Sequence, residues 1–153
     1  MTTTQLPEID VKSRGWVDQM IVNATNDTKS FSHLGFADLR LALEVVDLDH
    51  TYSFGVVLDG YDFDCLGEID SFDDFQPEVT LSGTVEVWRE MLSNIKAHGA
   101  ADTAHTLNTL TIAEFPMQAK SQDPIGRDKF FRYAATLQEL FDHAFTHQKG
   151  GDK

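Results

Sequence analysis

Two stretches of alternating residues decide the fold of this chain: Leu-Arg-Leu-Ala-Leu-Glu-Val at residues 39–45, and Tyr-Ser-Phe-Gly-Val-Val-Leu-Asp-Gly at residues 52–60. In the first stretch apolar residues occupy every second position, which is typical of a strand with one buried face. The second alternates in the same way and ends in Asp59-Gly60, a strong signal for a tight hairpin turn into a further strand. Together they predict two antiparallel strands joined by a turn at residues 47–50.

Shorter patterns on either side extend this pair. Alternation predicts further strands at residues 61–65, 79–82 and 115–120. Apolar residues that recur every three or four positions predict helices at residues 14–23, 85–99 and 123–145. A further short helix is predicted to begin at Asp102 or Thr103. We expect strands that are neighbours in sequence to pair as an antiparallel meander. The order of elements predicts an α+β fold whose antiparallel sheet is covered by helices on one face.

The length of 153 residues fits one domain of ordinary size. We expect a loose N-terminal tail at residues 1–12, a single domain at 13–147 and a disordered C-terminal tail at 148–153. The one cysteine, Cys65, excludes an internal disulfide and a cysteine-cluster metal site. Because no leader of the secretory type begins the sequence, we expect a reduced, cytoplasmic protein.

Acidic residues outnumber basic ones by 25 to 12, which leaves a net charge of −13 and a pI near 4.6. This balance excludes nucleic-acid binding of the usual basic kind, and it disfavours docking on anionic membranes. No run approaches the roughly 18 apolar residues that a membrane-spanning helix needs. Stable membrane insertion is therefore not expected.

The acidic residues concentrate in one interval. Between Arg40 and Arg89 there are twelve Asp and Glu residues and neither Lys nor Arg. Strand alternation directs Asp62 and Asp64 to solvent, and the spacing after Asp59 does not match a calcium-binding loop. A solvated acidic sheet face is favoured over a calcium site. Such a face could serve solubility or dock a basic partner protein.

Motifs for catalysis and cofactor binding are missing. No glycine-rich phosphate loop occurs, and the carboxylate next to Cys65 disfavours a reactive thiolate. His143 and His147 lie four residues apart on the predicted last helix, and His98 and His105 lie seven apart, but neither pair has a third ligand. We predict no catalytic residue, no metal and no cofactor. A small enzyme that uses Asp, Glu or His is the least favoured function.

Aromatic residues are the remaining unusual feature. The chain contains 11 Phe, and many of its aromatic side chains fall in the predicted helices. A stripe of this kind usually seals a core. Phe130, Phe131 and Tyr133 span a wide helix face, however, and such a face could also form the wall of an apolar pocket.

The order of elements and three short stretches resemble the sterol carrier protein 2 family of lipid-binding domains. The stretches are the hairpin at residues 52–60, Pro-Glu-Val-Thr-Leu-Ser-Gly-Thr at 77–84, and Leu-Gln-Glu-Leu-Phe at 137–141. The second is similar to the family's Pro-Asp-x-Thr-Leu strand, and the third to its closing Leu-x-x-Leu-Phe. The resemblance covers most of the chain from Leu39 onward.

The resemblance implies a five-stranded, mostly antiparallel sheet with an apolar tunnel between the sheet and the helices. The tunnel would hold an acyl chain, a sterol or an isoprenoid-like lipid by apolar burial, without a covalent step. By position its walls would include Trp88, Met91, Leu92, Leu107, Leu110, Met117, Phe131, Leu137 and Phe141. An acidic surface repels anionic lipids, which favours a neutral ligand or delivery by a protein partner.

Two functions from different classes remain. The first is noncatalytic binding or transfer of a small apolar ligand in an internal tunnel. The alternative is an acidic, noncatalytic interaction subunit that docks a basic partner protein. A carrier contains a cavity and retains lipid, whereas a docking module can have a solid core and releases its partner at high salt.

Overall fold

The alternating segment around residues 39–45 forms the central strand of the sheet. The computed structural model describes residues 10–35, 37–60, 62–69, 75–113 and 116–145, and in it this strand, β1, runs from Ala37 to Val46. Its side chains alternate between the two faces of the sheet. Leu39, Leu41, Leu43 and Val45 are fully buried against the helices, as the sequence predicts.

The other elements agree closely with the predicted order. They are, in chain order, α1 (Gly15–Thr25), α2 (Lys29–Ser32), β1, β2 (Thr51–Gly60), β3 (Asp62–Glu68), β4 (Val79–Thr84), α3 (Val85–His98), a 3-10 turn (Thr103–His105), α4 (Leu107–Thr111), β5 (Gln118–Lys120), α5 (Pro124–Arg132) and α6 (Ala134–Asp142).

The five strands lie in the order β3-β2-β1-β4-β5. The pairs β1–β2, β2–β3 and β4–β5 are antiparallel, whereas β4 pairs with β1 in parallel, with Leu43 opposite Leu81. The predicted α+β fold with a mostly antiparallel sheet is therefore confirmed. The prediction of one continuous meander is wrong at β4, because this strand joins the free edge of β1 instead of pairing with β3.

Phe75, just before β4, lies on the face of the sheet opposite the helices. Its ring covers Gly55, where a Cβ atom would be 2.7 Å from the ring, and the Arg40 guanidinium lies 4.5 Å from the ring centroid. Arg40 also donates hydrogen bonds to the Phe75 carbonyl oxygen. The absence of a side chain at Gly55 thus allows this outer face to be partly covered.

The helices pack on the inner face of the sheet and enclose the core. Helix α3 begins at Thr84, whose side chain accepts a hydrogen bond from Val87 N, and ends at Gly99, which has a φ of 84°. That left-handed conformation suits glycine, and the predicted end of this helix is confirmed. The buried face of α3 consists of Val85, Trp88, Met91, Leu92 and Ile95. Burial of each large side chain stabilises the fold by about 1.5–3 kcal/mol.

The predicted last helix is two helices. The backbone departs from helical geometry at Tyr133, where φ is −99° and ψ is 18°. Asp123 begins α5 as predicted, since its side chain accepts a hydrogen bond from Gly126 N. On either side of this break, Phe130 on α5 and Leu137 on α6 are both fully buried.

The packed part of the chain begins before residue 13. Val11, within the predicted N-terminal tail, is fully buried, and its carbonyl oxygen accepts a hydrogen bond from Nε1 of Trp16. Residues 1–9, the predicted tail at 148–153, His147, Tyr61 and Phe115 lie outside the described residues.

Candidate functional site

The residues predicted to line a tunnel meet in one apolar layer between sheet and helices. The members of the layer that belong to the predicted set are Trp88, Met91, Leu92, Leu107, Leu110, Met117, Leu137 and Phe141. They come from three helices and from the residue before β5, so the tertiary structure brings together positions far apart in sequence. That they contact a ligand stays a prediction.

Aromatic rings form the middle of this layer. The centroid of Trp88 lies 5.5 Å from that of Trp16 and 5.9 Å from that of Phe141. Nε1 of Trp88 donates a hydrogen bond of 2.9 Å to the carbonyl oxygen of Glu44. This bond satisfies the only polar atom of a fully buried indole and fixes the ring against β1. Trp16 was missing from the predicted walls, although its spacing on α1 already indicated a buried position.

The short helix α4 closes the layer at one end. Thr106 accepts a hydrogen bond from Thr109 N and begins the helix, and Leu107 N donates to the side-chain oxygen of Gln138. Met117 N donates to the carbonyl oxygen of Leu110, which ties the segment before β5 to α4. Met117 also packs over Gly83, where its Cγ and Cε atoms would lie 3.1 Å from a Cβ atom.

Phe131 does not belong to the buried layer. It is 37% exposed and lies edge-on to Phe130, which is fully buried, and the Arg127 guanidinium lies 5.3 Å from its ring centroid. Phe131 is therefore set apart from the other predicted wall residues, and its contact with a ligand stays a prediction. Phe130 and Phe131 are adjacent and lie about 100° apart around α5, so the two rings do not face the core together.

Two open clefts lie outside the apolar layer. The β4–β5 cleft has a volume of about 630 Å³ and is lined by Gln76, Pro77, Glu78, Thr80, Lys120, Ser121 and Gln122. The α1–β3 groove has a volume of about 450 Å³ and is lined by Ile21, Val22, Thr25, Asn26, Asp62, Phe63 and Asp64. Neither lining includes a residue of the predicted tunnel, so the two clefts are separate from it.

Part of the acidic interval is neutralised by cations from later in the chain. Oε1 of Glu44 accepts hydrogen bonds from Ser82 and from Nζ of Lys120, at 2.6 and 2.9 Å. Burial by itself raises the pKa of the Glu44 carboxyl, but these two donors outweigh it and hold that pKa below its ordinary value. Glu78 likewise accepts a 2.7 Å hydrogen bond from Nζ of Lys129. The sequence interval alone could not reveal these partners.

A histidine between two carboxylates ties the loop after α3 to that helix. Nδ1 of His105 lies 2.6 Å from Asp102 and Nε2 lies 2.8 Å from Glu90. Nδ2 of Asn94 donates a hydrogen bond to the Asp102 carboxylate, and Oδ1 of Asn94 accepts one from Asp102 N. Hydrogen bonds to Asp102 and then to Glu90 raise the pKa of His105, and the same histidine lowers the pKa of Asp102.

These shifts predict a pH dependence of stability. Because the pKa of folded His105 lies above its unfolded value of about 6.5, its contribution is fully present below that pH and is lost as pH rises through the folded pKa. We expect the free energy of unfolding to fall from mildly acidic to mildly alkaline pH, and His105→Asn to flatten this fall. Urea titrations at several pH values across this range measure the free energy of unfolding. His33→Asn, at an exposed position, is the control, and an equal effect of both substitutions contradicts the assignment.

The other candidate metal and nucleophile residues are engaged in packing. His143 contacts Asp27 through Nε2 and the Glu139 carbonyl oxygen through Nδ1, at 3.0 and 2.8 Å. Burial raises the pKa of the half-buried Cys65 thiol, which disfavours a thiolate. Within the described part of the chain no group of three His, Cys, Asp or Glu side chains could hold a metal ion.

None of the helices among the described residues is long and apolar enough to cross a lipid bilayer.

Comparisons with known proteins bear on the fold. No protein-family model and no curated protein matches the chain. Among solved structures the chain is similar to a conserved hypothetical protein of Thermus thermophilus that is considered a candidate sterol carrier protein. The TM-score is 0.59 at 9% identity, over 98% of this chain and 100% of that one. A UbiJ-SCP2 ubiquinone synthesis protein matches with a TM-score of 0.44 at 17% identity, over 92% of this chain and 96% of that one. The first likeness confirms the sterol-carrier-like fold.

Proposed function

We propose that this protein binds or transfers a small apolar molecule, such as an acyl chain, a sterol or an isoprenoid-like lipid, between its sheet and its helices. The observation that carries the proposal is the likeness, over nearly the whole chain, to a candidate sterol carrier protein. The role is noncatalytic, because apolar burial needs no reacting group. A reducing, cytoplasmic location remains part of the proposal, for which the single cysteine is suitable.

The composition of the apolar layer supports this function. The predicted contact residues that lie in it carry no charged side chain, and the one indole donor is already bonded to Glu44. Such a surface gains about 25 cal/mol for each Å² of ligand that it removes from water. Met91 and Met117 add unbranched side chains that can repack around ligands of different shape.

Entry of a ligand requires movement at one end of the layer. Apart from Phe131, the predicted contact residues are nearly or fully buried, and the two clefts are lined by other residues. We place the opening at α4 and at the segment before β5, because a five-residue helix held by a few hydrogen bonds is the smallest unit covering the layer. Its displacement would expose Leu107, Leu110 and Met117 together.

Native mass spectrometry of the freshly purified protein, followed by organic extraction, tests the proposal. We expect an acyl, sterol or isoprenoid species at near-unit occupancy. In parallel, a dansyl-labelled fatty acid and a fluorescent sterol are titrated into delipidated protein. A bare mass of 17.1 kDa, together with no binding of either probe, contradicts a carrier function.

A pair of matched substitutions tests where the ligand binds. Met91→Trp adds an aromatic ring inside the apolar layer, whereas Leu48→Trp adds the same ring at a position that is 99% exposed, in the turn between β1 and β2. We expect Met91→Trp to reduce probe binding at least tenfold and Leu48→Trp to leave it unchanged. Circular dichroism checks that both variants fold. Unchanged binding by a folded Met91→Trp variant means that the ligand lies elsewhere.

Docking of a basic partner is the second candidate function. It is favoured by Asp62 and Asp64, which are exposed on β3 beside the α1–β3 groove. This function does not compete with ligand binding, because the groove and the predicted tunnel share no residue.

A further inference from the structure

We propose that the α1–β3 groove docks an extended basic segment of a partner protein. The inference deepens the second candidate function, on which it rests, and it is independent of whether the apolar layer holds a lipid. It assigns the docking role to one groove instead of to the whole acidic sheet face.

The distribution of ion pairs singles out this groove. On the β4 side of the sheet, Glu44 and Glu78 are paired with Lys120 and Lys129. Among the described residues neither Asp62 nor Asp64 has an ion pair, and Arg14, which packs against Gly67 further along β3, is paired with Asp18. A cationic partner therefore gains more beside β3 than beside β4, where the carboxylates are already paired.

The end of α1 adds to the negative potential. The C-terminal end of a helix carries a partial negative charge, which natural helices often offset with Lys, Arg or His. Helix α1 has no basic residue in its last turn, and Thr25 and Asn26 at this end line the groove. The end of α1 and the two Asp residues thus border the same groove from its two sides.

The groove also has an apolar surface that a partner can contact in addition to the charged side chains. Val22 is 51% exposed, and the groove that it lines also includes Ile21 and Phe63, which belong to the core. A volume of about 450 Å³ is enough for a large apolar side chain and its flanking backbone. We infer that the partner segment carries an apolar residue next to its basic residues.

The spacing of the carboxylates favours an extended partner. Asp62 and Asp64 are two positions apart on one strand, so their side chains share a face about 7 Å apart. Basic residues at alternate positions of an extended segment have the same spacing. Strand β3 is also the outermost strand on its side of the described sheet, so its free edge can pair with an extended segment.

The test uses fluorescence anisotropy with a fluorescein-labelled peptide, Gly-Ser-Leu-Lys-Ser-Lys-Ser-Gly, and a second peptide in which Glu replaces both Lys. We expect the basic peptide to bind, the acidic one not to bind, and binding to weaken as NaCl rises from about 0.05 to about 0.5 M. Amide shifts in an NMR titration should change at residues 21–26 and 62–64. No binding by the wild-type protein at low salt overturns the proposal.

Two double variants with the same net charge separate the groove from the overall charge. Asp62→Asn with Asp64→Asn removes the two groove carboxylates, and we expect the Kd of the basic peptide to rise about three- to tenfold. Asp49→Asn with Asp128→Asn removes two exposed carboxylates elsewhere and should leave it nearly unchanged. Equal weakening in both variants shows nonspecific attraction and overturns the proposal. Lipid content measured on the same samples is expected to be unaltered, so a failure of docking is distinguishable from a failure of the carrier function.

Discussion

Replacement of Trp88 by alanine is expected to lower the free energy of unfolding by about 4 kcal/mol, within the range of about 3–5 kcal/mol for a buried aromatic residue. The side chain is fully buried between Trp16 and Phe141, so truncation leaves a cavity that rigid elements on both sides cannot close. It also removes the donor that satisfies the Glu44 carbonyl oxygen. Urea unfolding followed by circular dichroism measures the loss.

Two further variants separate the causes of this effect. Trp88→Phe keeps most of the ring but removes the Nε1 donor, and it should cost about 1–3 kcal/mol. Phe131→Ala removes an aromatic ring from a partly exposed position and should cost less than about 1 kcal/mol. If Trp88→Ala lowers the free energy of unfolding no more than Phe131→Ala does, the layer around Trp88 is not packed as described.

Replacement of Gly126 by alanine is expected to cost about 3 kcal/mol, the upper end of the usual range for overpacking. A Cβ atom at this position would lie 1.8 Å from the Glu78 carbonyl oxygen and 2.3 Å from Oγ of Ser121. The Glu78 backbone cannot easily retreat, since its N–H donates to the Arg40 carbonyl oxygen and its side chain accepts from Arg40 N. The start of α5 must therefore move away from β4.

Gly15→Ala is the matched control for this substitution. At the start of α1 the nearest atom to a new Cβ would be Oγ of Ser13, at 3.6 Å, which is an ordinary contact. Alanine there should be neutral or stabilise the protein by up to about 1 kcal/mol. Thermal unfolding of both variants compares them directly, and a melting temperature for Gly126→Ala close to that of Gly15→Ala would show that α5 does not approach β4 this closely.

Local patterns predicted most of the elements, but not how they associate. The period-two alternation at residues 39–45 specifies a strand with one buried face whatever its neighbours are. The same is true of Gly99 as the end of α3, because capping depends on a few adjacent residues. The parallel pairing of β4 with β1 depends on which strand edge remains free, and no local signal records that.

In the candidate site, too, local patterns predicted which residues are buried but not which residues meet. The spacing of Trp88, Met91 and Leu92 on one helix face indicated burial, and they are buried. Phe131 entered the predicted walls only by its position in the family resemblance, and the structure leaves it partly exposed beside the fully buried Phe130. Trp16 was left out of the predicted walls because its partners, Trp88 and Phe141, are distant in sequence.

The sequence by itself determined the fold class, the apolar stripes that form the core, and the acidic charge, because these depend on composition and on short periodic patterns. Only the tertiary structure decided which carboxylates keep their charge uncompensated. Glu44 and Glu78 meet Lys120 and Lys129 across 76 and 51 residues, whereas Asp62 and Asp64 remain exposed beside a groove. The physical reason is that ion pairs act over a few ångströms in space, and distance along the chain does not predict that separation.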